Sequence, residues 1–296
     1  MRAMETIQHT PIMVSEIITH VPTDCHLYVD GTAGHGWHIA AIAASGKLAP
    51  NASIIAIDRD AAMLEKAKTF VWSTHTQTFQ FVQDSYANIE TILDGKKADF
   101  ILLDIGVNME HFKDGARGFS IHDDAPLDMR FDTRSWETAA DILNTYSKDK
   151  LVDLFIKYGD FSPKSSEYFA DHIIAHRHTT PFTTTKQFVE SLYSIGVRKN
   201  QLPIIFQCLR IQTNQELAQL EVFLQTLPNL LSIGGRCAII TFHSTEDRIA
   251  KYAFKWLAEE WSFTLVNKKV IAPHYKEVQK NRAARSAKLR IIERVS

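Results

Sequence analysis

Leu27-Tyr28-Val29-Asp30-Gly31-Thr32-Ala33-Gly34-His35-Gly36-Trp37-His38 reads as an apolar strand that runs into a turn with three glycines and then into a helical stretch. Glycine tolerates positive φ and close backbone approach, and the helix N-terminus that follows favours a carboxylate or phosphate. Working outward, three more β-rich runs follow at 54–57, 78–82 and 100–103, with a helical pattern over Ala61–Val71 between the first two. Alternation of this kind predicts an α/β fold, a parallel sheet covered by helices with its ligand beyond the carboxyl ends of the strands.

Acidic residues stand at those ends. Asp30, Asp58 and Asp104 close three of the runs, and Asp84 lies two residues past Val82. Asp58, at the end of the second run, is placed to accept hydrogen bonds from ribose hydroxyls, so glycine turn and acid together imply an adenosine-containing cofactor. NAD and S-adenosylmethionine both qualify. The spacing of Gly31, Gly34 and Gly36 is G-x-x-G-x-G, which departs from the G-x-G-x-x-G that seats a pyrophosphate. Four clustered acids would repel a pyrophosphate and suit an ammonium and a sulfonium, which favours S-adenosylmethionine.

The next buried strand, 237–242, is announced by Gly234-Gly235 and lies more than a hundred residues beyond Asp104. A parallel crossover needs only about a dozen residues, so this stretch must hold a further domain. Its patterns are helical, at 136–157, 165–176, 184–195 and 215–231. The expected organisation is a discontinuous α/β domain, 1–112 with 206–296, interrupted by an all-helical domain at 113–205. A helix at 247–260 and two strands, 264–266 and 288–292, should complete the sheet with an antiparallel edge.

Over 296 residues, 45% hydrophobic and 23% charged is the balance of a soluble globular protein. The sequence has no apolar run of about 18 residues to span a membrane and no signal-peptide pattern at its start, so a cytoplasmic location is expected. Three cysteines, Cys25, Cys208 and Cys237, without CxxC spacing argue against a disulfide framework and against a zinc site; no metal is expected. The net charge of −1 hides a basic segment: residues 267–296 carry nine Lys or Arg against Glu277 and Glu293. Arg282, Arg285, Lys288 and Arg290 are the candidate phosphate contacts of that segment, which points to RNA.

Along the chain stand His9-Thr-Pro11, Asp30-Gly-Thr32, Gly34-His-Gly36-Trp-His38, Ala56-Ile-Asp-Arg-Asp60, Leu102-Leu-Asp-Ile-Gly106, Arg117-Gly-Phe-Ser120 and Pro126-Leu-Asp-Met-Arg130. They continue with Phe206-Gln-Cys-Leu-Arg-Ile211, Gly234-Gly-Arg236, Phe242-His-Ser244, Glu246-Asp-Arg248 and Arg285-Ser-Ala-Lys-Leu-Arg290. In this order they closely resemble the MraW/RsmH family, which methylates the exocyclic N4 of a decoding-centre cytidine in 16S rRNA with S-adenosylmethionine. The resemblance implies a class I S-adenosylmethionine-dependent methyltransferase sheet, Rossmann-like, with an inserted helical domain. It also implies that Gly36, Trp37, His38, Asp58, Tyr86, Asp104 and His111 occupy cofactor-contact positions; the glycine turn and the strand-end acids add Gly34, Asp30 and Asp84 as cofactor-binding candidates. Trp37 stands where the family commonly has a second glycine, His111 where it has glutamine, and Asn108-Met109 where it has a Ser-Ser pair. The expected partner is 16S rRNA within the small ribosomal subunit; a homodimer is the other association considered.

An exocyclic cytosine amine is a poor nucleophile, because its lone pair is conjugated with the ring. Catalysis then rests on aligning nitrogen, methyl and sulfur, with acceptors holding the amine. Asp104 and Asn108 are the expected acceptors, and His243 and Asp128 the candidates for the base that takes a proton late in the reaction. Phe119, Tyr86 and Phe242 are candidate platforms for an unstacked base. Methylation at cytosine C5 would need an activated cysteine, and none of the three sits in a suitable context. Competing readings are an NAD-dependent oxidoreductase, a noncatalytic RNA-binding or ribosome-assembly factor, and a hydrolase built on His243, Ser244 and Asp247.

Overall fold

The computed structural model describes residues 11–71, 77–107, 109–113 and 115–296. The chain divides into two compact units, one formed by Met1–Gly106 with Ala218–Ser296, the other by Val107–Leu217.

Among the described residues the first unit holds a seven-stranded sheet. Its strands are β1 (Cys25–Asp30), β2 (Leu48–Asp58), β3 (Thr78–Gln83), β4 (Ala98–Asp104), β5 (Leu231–Thr241), β6 (Phe263–Leu265) and β7 (Lys288–Arg294), in the order β3-β2-β1-β4-β5-β7-β6. Strands β1 to β5 pair in parallel, and β7 runs antiparallel to both β5 and β6. The α/β class, the β-α alternation and the antiparallel edge are as expected. Side chains alternate across each strand with period two. Tyr28, Ile54, Phe100, Ala238 and Ile240 enter one layer of core with α1 (Val14–His20), α2 (Trp37–Ala43) and α3 (Ala61–Val71). Val29, Ile55, Ile101, Cys237 and Ile239 enter the other, with α4 (Ile89–Leu93) and two helices from later in the chain.

The second unit is helical: α5 (Met109–Lys113), α6 (Ala139–Thr145), α7 (Lys148–Gly159), α8 (Pro163–Thr179), α9 (Thr185–Ser194) and α10 (Leu202–Asn214). Its core gathers Phe155, Phe169, Phe182, Phe188 and Leu209. The division between units falls within α11 (Glu216–Thr226), after which α12 (Ser244–Glu260) and α13 (Tyr275–Lys280) belong to the first unit.

Several elements differ from expectation, among them α1, α4, α5 and α13, which have no expected counterpart, and β2, which begins at Leu48. The helix expected over 136–157 is two, because the Ser147 side chain accepts from Lys150 N and starts a new helix after Tyr146. The helix Leu202–Asn214 has no counterpart among the expected ones; Pro203 in its first turn reads as a breaker in sequence but lies where a helix tolerates it. Gly234 and Gly235 lie inside β5, where the pairing with β4 shifts register between Ala98 and Phe100, so the glycines mark a bulge within the strand.

Candidate active site

The parallel strands bring Asp30, Asp58 and Asp104 to one edge of the sheet, with Thr241 closing β5 beside them: Asp104 is in register with Ile240, and Asp30 with both Ala56 and Leu102. Between β1 and α2 the chain turns tightly. Gly31 N donates to Leu102 O at 2.9 Å, Ala33 N to Ile57 O at 2.8 Å and Gly36 N to Ala33 O at 2.7 Å. Gly36 adopts φ +80°, and a Cβ there would lie 2.8 Å from Val71 Cγ2. At Gly31 a Cβ would meet Leu103 Cδ2 at 2.3 Å and Tyr86 Cβ at 3.0 Å, which is why the turn can press against β4 and against Tyr86.

Asp58 braces this turn. Its Oδ2 accepts from Gly34 N at 2.7 Å and its Oδ1 from Asp60 N at 2.8 Å. Each carboxylate oxygen has a second lone-pair direction, so the group can brace the turn and still accept from a ribose hydroxyl. Asp84, directly after β3, accepts from Ser85 N at 2.6 Å and Asn88 Nδ2 at 2.7 Å, the work of a turn residue. Tyr86 follows it, buried, edge-on to Phe223 with ring centroids 6.0 Å apart.

Asp30 is 1% exposed; its Oδ2 accepts from Tyr28 Oη at 2.7 Å and its Oδ1 from Thr32 N at 3.1 Å. Burial raises its pKa above the ordinary carboxylate value against the opposing pull of His38. Asp104 is held by its own backbone, whose N–H donates to Thr32 Oγ1 at 2.7 Å. Its Oδ2 lies 3.7 Å from His38 Nδ1, and its Oδ1 is buried without a hydrogen-bond partner among the described residues. Burial raises the Asp104 pKa too, His38 opposes the rise and the Glu246 charge adds to it. His38 is oriented from behind: its Nε2 lies 2.9 Å from Ile12 O, a carbonyl that only accepts, so Nε2 carries a proton and Nδ1 is the atom turned to Asp104. Trp37, in the first turn of α2, packs its ring on Phe70 at 4.2 Å between centroids, and its Nε1 is buried without a partner among the described residues.

His243, considered as the base, stands at the start of α12. It caps α12: Nδ1 accepts from Glu246 N at 3.3 Å while Nε2 lies 2.8 Å from Glu246 Oε1, and Glu246 Oε2 accepts from Phe242 N at 3.0 Å. Nδ1 is thereby engaged in the capping box, whereas Nε2 is buried beside the Glu246 carboxylate without a hydrogen bond among the described residues. Phe242 lies over Gly106, its Cδ2 3.0 Å from where a Cβ would stand, and is partly exposed at this edge of the sheet.

Three of the remaining candidates, Asp128, His111 and Phe119, belong to the second unit. In the second unit, Asp128 is gripped by Arg130 through Nε and Nη2, both at 2.7 Å. Although burial pushes its pKa up, those bonds and the Arg130 charge hold it below the ordinary value, which makes it a weak proton acceptor. His111 packs between Phe119 and Phe131, with ring centroids 5.1 and 4.9 Å away, and Phe119 is buried in that unit. Asn108 lies outside the described residues. Of the basic segment, Arg282 and Arg285 are exposed on a short 3-10 turn, whereas Lys288 and Arg290 reach Asp247 at 3.1 and 2.7 Å. These two side chains pin β7 to α12. Asp247 therefore belongs to an ion-pair cluster, which removes it from any hydrolytic triad with His243 and Ser244. The three cysteines are buried, and burial pushes the thiols of Cys25 and Cys208 up to about 12, so neither is a ready nucleophile. Residues that sequence reasoning missed are Glu246, whose carboxylate organises the start of α12, and Thr32, whose hydroxyl fixes the Asp104 backbone; a buried glutamate three residues past a cap is a legible signal.

The sequence matches the MraW methylase family over residues 6–295. A protein of Elusimicrobium minutum called Ribosomal RNA small subunit methyltransferase H is 37% identical over 300 residues, spanning 99% of this chain and 100% of the relative. Proteins of the same name from Leptospira interrogans (strain Fiocruz L1-130) and Rippkaea orientalis are 38% and 39% identical, each over 90% of this chain and over 82% and 86% of the relatives.

Proposed function

From the premise that the chain belongs to the MraW methylase family, we propose that it methylates the exocyclic N4 of a cytidine in 16S rRNA of the small ribosomal subunit. It is a methyltransferase, and its cofactor is S-adenosylmethionine. The observation that carries the finer reading is the buried Asp104 Oδ1 beside the glycine turn, an acceptor with no donor among the described residues.

The residues of the turn fit the cofactor. Asp30, Asp58 and Asp104 supply negative potential for a cationic group and acceptors for hydroxyls, and the Gly31 and Gly36 turn keeps side chains out of the strand-to-helix junction. When bound, S-adenosylmethionine supplies an electrophilic methyl group. Asp104 Oδ1 can accept one N–H of the target amine and so hold the nitrogen in line. The proton lost from the methylated nitrogen can rest on the same carboxyl, whose affinity for protons burial raises, while His38 on Oδ2 keeps the ionised form accessible before the reaction. His243 and Asp128 contribute through capping and through Arg130, and Phe242 offers a partly exposed ring for an unstacked base. This reading places the chain with maturing small subunits, in the cytoplasm.

The test is methyl transfer from labelled S-adenosylmethionine to unmodified small subunits and to naked 16S rRNA, followed by nucleoside mass spectrometry. N4-methylcytidine supports the proposal. Methyl transfer to another atom would displace the cytidine-N4 assignment, and binding of RNA without transfer would favour a noncatalytic assembly factor.

A further inference from the structure

The outward face of α12 is unlike an ordinary solvated helix face. Inward, the helix commits Ala250, Phe254 and Leu257 to the sheet core. Outward, at spacings of three and four residues that share one face, stand Arg248, Lys251, Tyr252, Lys255 and Trp256, and no acid interrupts residues 248–256. Tyr252 is 60% exposed and Trp256 51%, and Trp261 just beyond the helix is 50% exposed with its ring 6.4 Å from that of Trp256. Lys251 Nζ lies 5.6 Å from the centre of the Tyr252 ring, and Lys255 lies 3.5 Å from the exposed Glu259. Large aromatics left in water beside cations are what a nucleic-acid surface presents: rings for bases, ammonium groups for phosphates.

The place of the helix strengthens this. It starts two residues after β5, whose Ile240 is in register with Asp104, so its first turn adjoins the catalytic edge of the sheet. Asp247 in that turn binds Lys288 and Arg290, which tethers the exposed Arg282 and Arg285 segment to the same end of the helix. Basic groups thus run from the 3-10 turn to Arg248 and on along α12. Tyr252 and Trp256 are one turn apart, a rise of about 6 Å, wider than the roughly 3.4 Å between stacked bases of a duplex strand. Each ring can therefore take one base of an unstacked strand.

Resting on the RNA-methylating function above, we propose that this face of α12 docks an unpaired stretch of the substrate RNA, with bases on Tyr252 and Trp256 and phosphates on Arg248, Lys251 and Lys255. Three readouts test it on the full-length protein. Binding of a fluorescein-labelled, unstructured RNA oligonucleotide and of its duplex form is followed by anisotropy across a salt series, ultraviolet cross-links are mapped by peptide mass spectrometry, and S-adenosylhomocysteine binding is titrated as a control for the cofactor site.

We expect the Tyr252→Ala/Trp256→Ala variant to lose about tenfold or more in affinity for the single strand, Tyr252→Phe/Trp256→Phe to retain it, and cross-links to fall on α12. Lys251→Gln/Lys255→Gln should lower the salt slope by about one unit. S-adenosylhomocysteine binding should be unchanged in all of them. Wild-type affinity in the alanine variant would overturn the docking face and leave the methyltransferase reading intact. No RNA binding by the wild-type protein, with S-adenosylhomocysteine binding intact, would overturn both the docking face and the RNA substrate. Variants that fail only on assembled subunits, with oligonucleotide affinity unaltered, would reassign the face to a protein partner.

Discussion

Asp104 Oδ2 faces His38 Nδ1 at 3.7 Å while Asp104 Oδ1, on the same carboxyl, is buried with no hydrogen-bond partner among the described residues. In the proposed reaction the second oxygen receives the target amine. Asp104→Asn keeps the shape and an acceptor but cannot hold a proton, so turnover should fall by about a hundredfold or more with RNA affinity preserved. Single-turnover assays beside RNA-binding titrations decide this, and undiminished turnover would remove Asp104 from the chemistry.

The same variant carries a pH signature. The Asp104 pKa is raised in the folded protein, so above the ordinary carboxylate value the native state binds more protons than the unfolded state and stability falls as pH rises through the raised value. Asp104→Asn should lack that fall and be the more stable protein at neutral pH. Urea midpoints of both proteins from about pH 4 to about pH 8 measure the difference; parallel profiles would contradict it.

Asp247 gives the opposite sign. Burial pushes its carboxyl up, but Arg290 and Lys288 hold its pKa below the ordinary value, so it adds stability above that value and loses it as pH falls through the depressed one. Asp247→Asn should destabilise the protein by about 1–3 kcal/mol at neutral pH and by progressively less in acid. Denaturant midpoints would expose the error if the gap stayed constant with pH.

His243 distinguishes capping from base catalysis. If its imidazole serves the start of α12, His243→Asn should retain turnover, because asparagine is a strong N-cap, while His243→Ala should lower stability by about 1 kcal/mol. A collapse of turnover in the asparagine variant with an unchanged melting temperature would restore His243 as the base.

At Gly36, φ is +80° and a Cβ would stand 2.8 Å from Val71 Cγ2. Gly36→Ala should lower stability by about 1–3 kcal/mol and weaken S-adenosylhomocysteine binding by distorting the turn. Asp58→Asn, which preserves an acceptor for Gly34 N, should weaken binding less than Asp58→Ala; calorimetry on the three variants gives the order.

The gathering of the glycine turn and the strand-end acids at one edge of the sheet was legible because its signals are local. A glycine turn after Val29 and acids closing consecutive apolar runs are each set by backbone geometry within a few residues. The roles of Asp128, His243 and Lys288 were not, because each depends on a partner or direction that composition does not show. Arg130 is two residues from Asp128 and yet only the folded loop turns both Nε and Nη2 onto its carboxylate. Asp247 and Arg290, 43 positions apart, meet only once β7 lies against α12. Gly234-Gly235 misled for a related reason: glycine pairs signal turns in isolation, and only the register of β4 against β5 makes them a bulge.

β4 and β5 are adjacent and parallel, yet the chain between Asp104 and Leu231 contains the whole helical unit. Closing so long a connection costs about 2 kcal/mol more entropy than closing an ordinary crossover of a dozen residues, and a folded insert shortens the effective loop. The order of synthesis then has a consequence for the half-made chain. Until β5 emerges, β4 is an open edge carrying Ile101, Leu102 and Leu103, a template for pairing with another nascent chain. If the helical unit folds as soon as it is made, β5 has a shorter span to close when it emerges, and the edge stays open for less time.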